Sequence, residues 1–154
     1  MKFHRVLREF GRSSSGNAIV EAALLMPWIV FLFVGILDAG FYAFDLITTE
    51  NAARIGALQA SLSVAASGDS GSACVSVLQE MSALPNVAGL TSCGAGSVSS
   101  SLPVSVLATA VDHGGGDVST RVTVMYLTMP MVAIPGIFPT QMTITRSAEV
   151  PVAS

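Results

Sequence analysis

The chain has 154 residues, of which 51% are hydrophobic and only 11% are charged, and its formal net charge is −3. An ordinary soluble domain carries roughly 25% charged residues, so the composition is typical of a protein with a large apolar segment. Beyond residue 44, seven acidic residues face three basic residues. This leaves no basic surface to hold phosphates, which argues against nucleic acid binding.

Residues 1–16 are predicted to form a basic leader. Its single acid is Glu9, and its four bases are Lys2, Arg5, Arg8 and Arg12. Basic residues that flank a membrane segment stay in the cytoplasm. The N-terminus is therefore predicted to be cytoplasmic, and the part of the chain that follows the apolar segment is predicted to lie outside the cytoplasm.

A long helix is predicted over residues 17–66. Its first part, residues 22–44, contains 23 residues with Asp38 as the only charge. About 20 apolar helical residues cross the roughly 30 Å of hydrocarbon in a bilayer, so this part is predicted to span the membrane. Pro27 removes one helical hydrogen bond and is expected to bend the span. A membrane proline that is tolerated without a role fits equally well.

The second half of this helix is predicted to be amphipathic and to pack on a small domain. Its large apolar residues recur at the three-to-four spacing of a helix face and are Ile47, Ile55, Leu58, Leu62 and Ala65. Glu50 and Arg54 lie one turn apart in the favourable order for an ion pair. Serine, glycine and aspartate over residues 67–71 are expected to end the helix.

Residues 67–154 are predicted to form an α+β domain outside the cytoplasm. A short helix over residues 72–84 is followed by a serine- and glycine-rich loop over residues 86–101. Three stretches of period-two alternation then predict three antiparallel strands, joined by a hairpin at His113 and by a proline-rich connection over residues 129–139. The apolar positions that alternate are Leu102, Val104, Val106, Ala108 and Ala110; Val118, Thr120, Val122, Val124 and Tyr126; and Met142, Ile144, Ala148 and Val150.

The two cysteines, Cys74 and Cys93, both fall in this domain and are 19 residues apart. In an oxidising compartment a disulfide between them would contribute about 3 kcal/mol through loop closure. Two free, small apolar side chains are the alternative. A zinc site is disfavoured, because two cysteines with no histidine nearby fall short of four ligands.

The segment between the leader and the apolar run carries the strongest functional signal, Gly16-Asn17-Ala18-Ile19-Val20-Glu21. It resembles the processing site of type IV prepilins, in which a prepilin peptidase cuts after the glycine. Here Asn17 would become the first mature residue and Glu21 the fifth. A carboxylate on an apolar helix is costly in lipid, and the resemblance implies that Glu21 pairs with the N-terminal amine of a neighbouring subunit. Alternatively, Glu21 complements the helix dipole from the headgroup region.

Residues 16–57 resemble the TadE-like family of tight-adherence (Tad, or Flp) pilus systems. The matching segments are Val20-Glu21-Ala22-Ala23-Leu24-Leu25-Met26-Pro27, Asp38-Ala39-Gly40-Phe41-Tyr42 and Asn51-Ala52-Ala53-Arg54-Ile55-Gly56-Ala57. The resemblance implies a minor pilin or pseudopilin in the bacterial inner membrane that packs with other pilin-like subunits and with the inner-membrane assembly platform. It implies no cofactor. The chain departs from related patterns at Phe41, where the family usually has Arg, and at Asn17, where type IV pilins often have Phe.

Two other functions compete with this interpretation. An uncleaved single-pass signal-anchor protein of the envelope would have the same apolar segment. A secreted protein with a removable signal peptide is disfavoured, because Asp38, Phe41 and Tyr42 occupy the expected cleavage region. An enzyme is also disfavoured, because His4, His113 and the scattered serines form no nucleophile motif.

Overall fold

A computed structural model describes the backbone of residues 14–130 and 141–153, and the side chains of the same ranges from residue 18 onward. Most of the predicted basic leader and of the proline-rich connection over residues 129–139 therefore lies outside the described residues. The chain divides into two compact units, Met1–Ala39 and Gly40–Ser154.

The first helix, α1, runs over Ser14–Ala60. In the first unit its described side chains are mostly exposed, and it is long and apolar enough to cross a membrane, with none of its most apolar window buried. The predicted long N-terminal apolar helix is confirmed.

α1 ends six residues before the predicted end at residue 66. Its last carbonyls accept hydrogen bonds from side chains and from a distant backbone N–H, so a further helical turn is not needed to satisfy them. The Ser61 hydroxyl donates to the Leu58 carbonyl at 2.9 Å. The Thr120 hydroxyl donates to the Ala60 carbonyl at 3.3 Å, and the Ala153 N–H donates to the Ser61 carbonyl at 3.0 Å. These side-chain and backbone donors replace helical N–H groups, and only a short 3₁₀ turn, Val64–Ala66, follows.

The second helix, α2, runs over Ser70–Glu80 and continues into a 3₁₀ turn at Met81–Ala83. Asp69 caps its start, since the carboxylate accepts a hydrogen bond from the Gly71 N–H at 2.9 Å. That bond also lowers the pKa of Asp69. The helix lies close to the predicted range of residues 72–84.

Three strands form an antiparallel sheet in the order β1-β2-β3: β1 is Val104–Asp112, β2 is Val118–Leu127 and β3 is Thr143–Pro151. The hairpin between β1 and β2 closes through the His113 N–H, which donates to the Asp117 carbonyl at 3.0 Å. The three glycines between them have φ of 82°, 76° and 95°, values that residues other than glycine rarely adopt. The predicted α+β fold with three antiparallel strands is confirmed.

The core of the second unit lies between α1, α2 and one face of the sheet. The alternation predicted for the strands is found there, with valines of β1 and β2 at its centre. Tyr126 closes it near the end of β2, and its hydroxyl donates to the Asn86 side-chain oxygen at 2.6 Å. The buried apolar side chains of the sheet are Val104, Val106, Ala108, Val122, Val124, Tyr126 and Ile144.

The face of α1 that enters this core is not the predicted one. Ile47, Ile55, Leu58 and Leu62 are 63%, 41%, 55% and 65% exposed. From residue 52 to the end of α1, the buried positions are instead small, namely Ala52, Ala53, Gly56, Ala57 and Ala60. The reason is close approach, since a Cβ placed on Gly56 would lie 2.9 Å from Val77 Cγ2 and 3.3 Å from Val122 Cγ1. Around Gly56, only small side chains fit between α1 and the neighbouring α2 and β2.

Candidate assembly site

The two residues of the predicted processing site, Gly16 and Asn17, lie in the first turn of α1. Glycine costs a helix roughly 1 kcal/mol relative to alanine, and it adopts extended conformations with little steric cost. Cleavage after Gly16 stays a prediction.

Glu21 lies one turn further along α1 and is exposed. Its neighbours on the helix surface are apolar and exposed as well, with Val20 at 58%, Leu24 at 70% and Leu25 at 53%. In the part of the chain that the structure describes, Glu21 makes no ion pair. Its carboxylate is thus presented on an apolar surface, where a cation from another molecule can reach it.

Pro27 lies inside α1, and the helix continues through it. Proline has no N–H to donate to the Ala23 carbonyl, so one helical hydrogen bond is absent at this turn. The bend expected from the sequence and the alternative of a tolerated membrane proline both stay open.

In the second unit, a row of exposed apolar side chains lies along α1 and continues into the turn after it. This outer stripe consists of Ile47, Ile55, Leu58 and Leu62. From Ile47 to Leu58 it extends for roughly 16 Å along the helix, at 1.5 Å per residue. Exposed large apolar side chains of this kind are available for contact with another molecule. The sequence identified these four residues but placed them in the core.

Charged side chains lie on the same side of α1 as the outer stripe. The Glu50 carboxylate lies 3.2 Å from the Arg54 guanidinium and 3.6 Å from the Arg146 guanidinium of β3. Arg54 is exposed, and exposed ion pairs of this kind contribute little to stability. At about 3.6 residues per turn, Arg54 falls between Ile47 and Leu58 along the helix and on nearly the same side of it, so the ion pair interrupts the apolar stripe.

A second polar cluster lies where the hairpin meets β3. His113 Nε2 lies 2.7 Å from Glu149 Oε1 and 2.9 Å from Ser119 Oγ, and Arg121 Nη2 lies 2.8 Å from Glu149 Oε2. The Ser119 hydroxyl also donates to Glu149 Oε1. Together the bonds from Ser119, Arg121 and His113 lower the pKa of Glu149 to about 2.

This cluster contains serine, histidine and a carboxylate, but its geometry is not that of a catalytic triad. In a triad the histidine takes the serine proton on one ring nitrogen while the carboxylate orients the other. Here Ser119 and Glu149 both contact the same nitrogen of His113. The cluster instead ties the hairpin to the end of β3.

The two cysteines are bonded in the structure. Cys74 lies on α2 and Cys93 in the loop before β1, with their Cα atoms 6.0 Å apart. The residue after Cys93 then pairs with β1, since the Gly94 N–H donates to the Val104 carbonyl at 2.8 Å and the Val106 N–H donates to the Gly94 carbonyl at 3.2 Å. The bridge thus holds the loop against the edge of the sheet.

Comparison with known proteins adds one family. The model of the family described as TadE-like protein matches residues 16–58. No curated protein and no solved structure matches the chain. The match begins at Gly16 and ends two residues before the end of α1. It therefore includes the apolar segment and all but Ala60 of the small residues that α1 buries in the core. Residues 16–58 of this chain are therefore similar to the TadE-like family, as the resemblance of the sequence indicated.

Proposed function

We propose that this protein is a minor pilin or pseudopilin of a Tad (Flp) type pilus or secretion system. The observation that carries the proposal is that the TadE-like match coincides with one continuous apolar helix. The apolar part of that helix is exposed and bears a carboxylate near its start. Such a helix is suited to lie in a bilayer and then to pack among similar helices. The role is structural, with no reaction assigned to the chain.

In this proposal the chain is held in the bacterial inner membrane by α1, with its N-terminus in the cytoplasm and the sheet outside. A prepilin peptidase cuts after Gly16 and frees the amine of Asn17. An unpaired carboxylate on a membrane helix is costly, although less so near the helix end, where Glu21 lies, than at the centre of the bilayer. Pairing Glu21 with the amine of a neighbouring subunit reduces this cost, and it sets the axial position of one apolar helix relative to the next.

The outer stripe extends the same contact beyond the membrane. Its side chains are exposed in the isolated chain, and packing against another pilin-like subunit would bury them. Fully burying a leucine or isoleucine contributes about 1.5–3 kcal/mol relative to leaving it exposed. The stripe would therefore stabilise association with other subunits and with the inner-membrane assembly platform.

An uncleaved signal-anchor protein of the envelope is the second candidate. The observations that favour it are the departures from related patterns at Asn17 and Phe41. Such a protein would keep its leader and use α1 only as an anchor. The mature N-terminal residue separates the two functions.

Replacing Gly16 with alanine is expected to block processing and to leave the protein in the membrane, because the peptidase requires glycine before the cleaved bond. The intact mass of the membrane-extracted protein then corresponds to the full chain, whereas the wild-type chain begins at Asn17. The matched control is Gly35→Ala in the same helix, where an added Cβ meets nothing within 4 Å. That variant should be processed normally. A wild-type chain that keeps its leader would instead support the signal-anchor function.

Replacing Glu21 with alanine is expected to reduce incorporation into fibres about tenfold or more, which corresponds to about 1.4 kcal/mol of lost pairing. The amount in the membrane should not fall, since the change makes the helix more apolar. Quantifying the protein in sheared fibres and in membranes measures both effects. Glu21→Asp, which keeps the charge, should retain part of the incorporation, and equal incorporation of all three chains would contradict the pairing.

A further inference from the structure

The two edges of the sheet differ in how they are covered. On β1, groups of the same chain occupy the outward backbone positions. The Val106 N–H and the Val104 carbonyl both bond to Gly94, and the Ala108 N–H donates to the Ser70 hydroxyl at 2.9 Å. This edge is closed to a further strand along much of its length.

Among residues 14–130 and 141–153, no strand pairs with the outer edge of β3. The Val152 N–H donates to the Val118 carbonyl, and the Thr128 N–H donates to the Met142 carbonyl. In the antiparallel register between β2 and β3, these bonds place the even-numbered residues of β3 in hydrogen-bonded pairs with β2. The backbone groups of the odd-numbered residues therefore point outward.

Those outward groups are Thr143, Thr145, Ser147, Glu149 and the carbonyl of Pro151. Within residues 14–130 and 141–153, the hydrogen bond found on them is the one from the Arg146 guanidinium to the Thr145 carbonyl, at 3.1 Å. Soluble proteins often block such an edge with charged side chains, proline, a bulge or a covering loop. β3 is nine residues long and ends at Pro151, and its two charged residues, Arg146 and Glu149, are both engaged on their own chain.

We propose that β3 pairs with β3 of a second copy of this chain, antiparallel and centred on Ser147, so that two three-stranded sheets join along their open edges. Charge disfavours one of the two neighbouring registers. With Ser147 opposite Ser147, Arg146 faces Ala148 of the second copy, and Ile144 faces Val150. The neighbouring register that pairs Thr145 with Ser147 would place Arg146 directly opposite Arg146, which is destabilising.

The side chains of β3 fit this pairing. The outward-pointing residues carry small hydroxyl side chains at Thr143, Thr145 and Ser147, and all three are exposed. The charged residues are engaged on their own chain, with Arg146 beside Glu50 and Glu149 bonded to Arg121. Neither charge has to be desolvated without a partner. Confinement of both copies to one membrane would raise their effective concentration.

Cross-linking tests the register. Cysteine at position 147 would lie about 5.5 Å from its counterpart, within the range of a disulfide. Cysteine at position 145 would lie about 14 Å from its counterpart, since four residues separate them at about 3.4 Å each. The native cysteines are both bonded, so each variant has a single reactive thiol. Under mild oxidation of the full chain in detergent, Ser147→Cys should give mostly covalent dimer and Thr145→Cys almost none.

Proline substitution tests the edge itself. Ser147→Pro removes an outward N–H without removing a bond to β2, and proline is tolerated at strand edges. The full chain in detergent is expected to change from dimer to monomer by analytical ultracentrifugation, with its circular dichroism unchanged. Ala110→Pro, which removes an outward N–H from β1, should leave the dimer intact.

A monomeric wild-type chain, a dimer that persists in Ser147→Pro, or equal cross-linking of both cysteine variants would overturn the proposal. The first result would also be found if the open edge receives an extended segment of a different protein. The pairing does not depend on removal of the leader. A Gly16→Ala chain should therefore dimerise like the wild type, which separates this test from that of the proposed function.

Discussion

Replacing Gly56 with leucine is expected to destabilise the second unit by about 2–3 kcal/mol. A Cβ at this position already lies 2.9 Å from Val77 Cγ2 and 3.3 Å from Val122 Cγ1, and both neighbours are fully buried. Overpacking of this kind typically costs 1–3 kcal/mol and occasionally more, and here three further carbons must be placed. The better helix propensity of leucine returns somewhat less than 1 kcal/mol.

Denaturant unfolding of the full chain in detergent, followed by circular dichroism, measures this loss. Gly40→Leu is the matched control, because Gly40 lies on the same helix and an added Cβ there meets nothing within 4 Å. It should unfold like the wild type. If Gly56→Leu and Gly40→Leu were equally stable, α1 could not approach α2 and the sheet as closely as the structure shows.

Removing the disulfide is expected to cost about 3 kcal/mol, the loop-closure value for a separation near that of Cys74 and Cys93. For a unit of about a hundred residues, each kcal/mol shifts the thermal midpoint by about 4–8 °C. The double variant Cys74→Ala with Cys93→Ala should therefore melt about 12–24 °C lower. The loop that carries Gly94 should also come away from β1 more easily.

A reducing agent provides the control for this prediction. It should lower the melting temperature of the wild-type chain and leave that of the double variant unchanged. Two free thiols in the protein purified under non-reducing conditions would contradict the bridge. An unchanged midpoint in the double variant would show that the bridge does not stabilise the fold.

The strands could be predicted from the sequence, whereas the packing face of α1 could not. Alternation along β1 and β2 separates an apolar face from a polar one, and a sheet buries the apolar face whatever lies against it. On α1, the pattern of Ile47, Ile55 and Leu58 was equally clear. The residues of α1 that enter the core are nevertheless the small ones around Gly56, because α1 lies too close to α2 and β2 for larger side chains to fit. Hydrophobic spacing contains no information about that distance.

The Glu50–Arg54 ion pair could be predicted from its spacing along one helix, whereas the polar contacts between strands depend on the strand register and could not. Glu149 and Arg121 are directly opposite each other only because β2 and β3 pair as they do, and nothing local specifies this pairing. The predicted processing residue Gly16 and the predicted pairing residue Glu21 differ, since both belong to one local sequence motif. A motif of consecutive residues can be recognised in a sequence, whereas a cluster that strand pairing brings together can be recognised only once the fold is known.

The division of α1 into a small inner face and a large outer face separates two evolutionary demands. If the outer stripe contacts another subunit as proposed, substitutions at Ile47, Ile55 or Leu58 would change that contact while leaving the domain folded, since these side chains are largely outside its core. Substitutions around Gly56 would act in the opposite way. The preference of the protein for one neighbour over another could then drift or be engineered without loss of the folded domain.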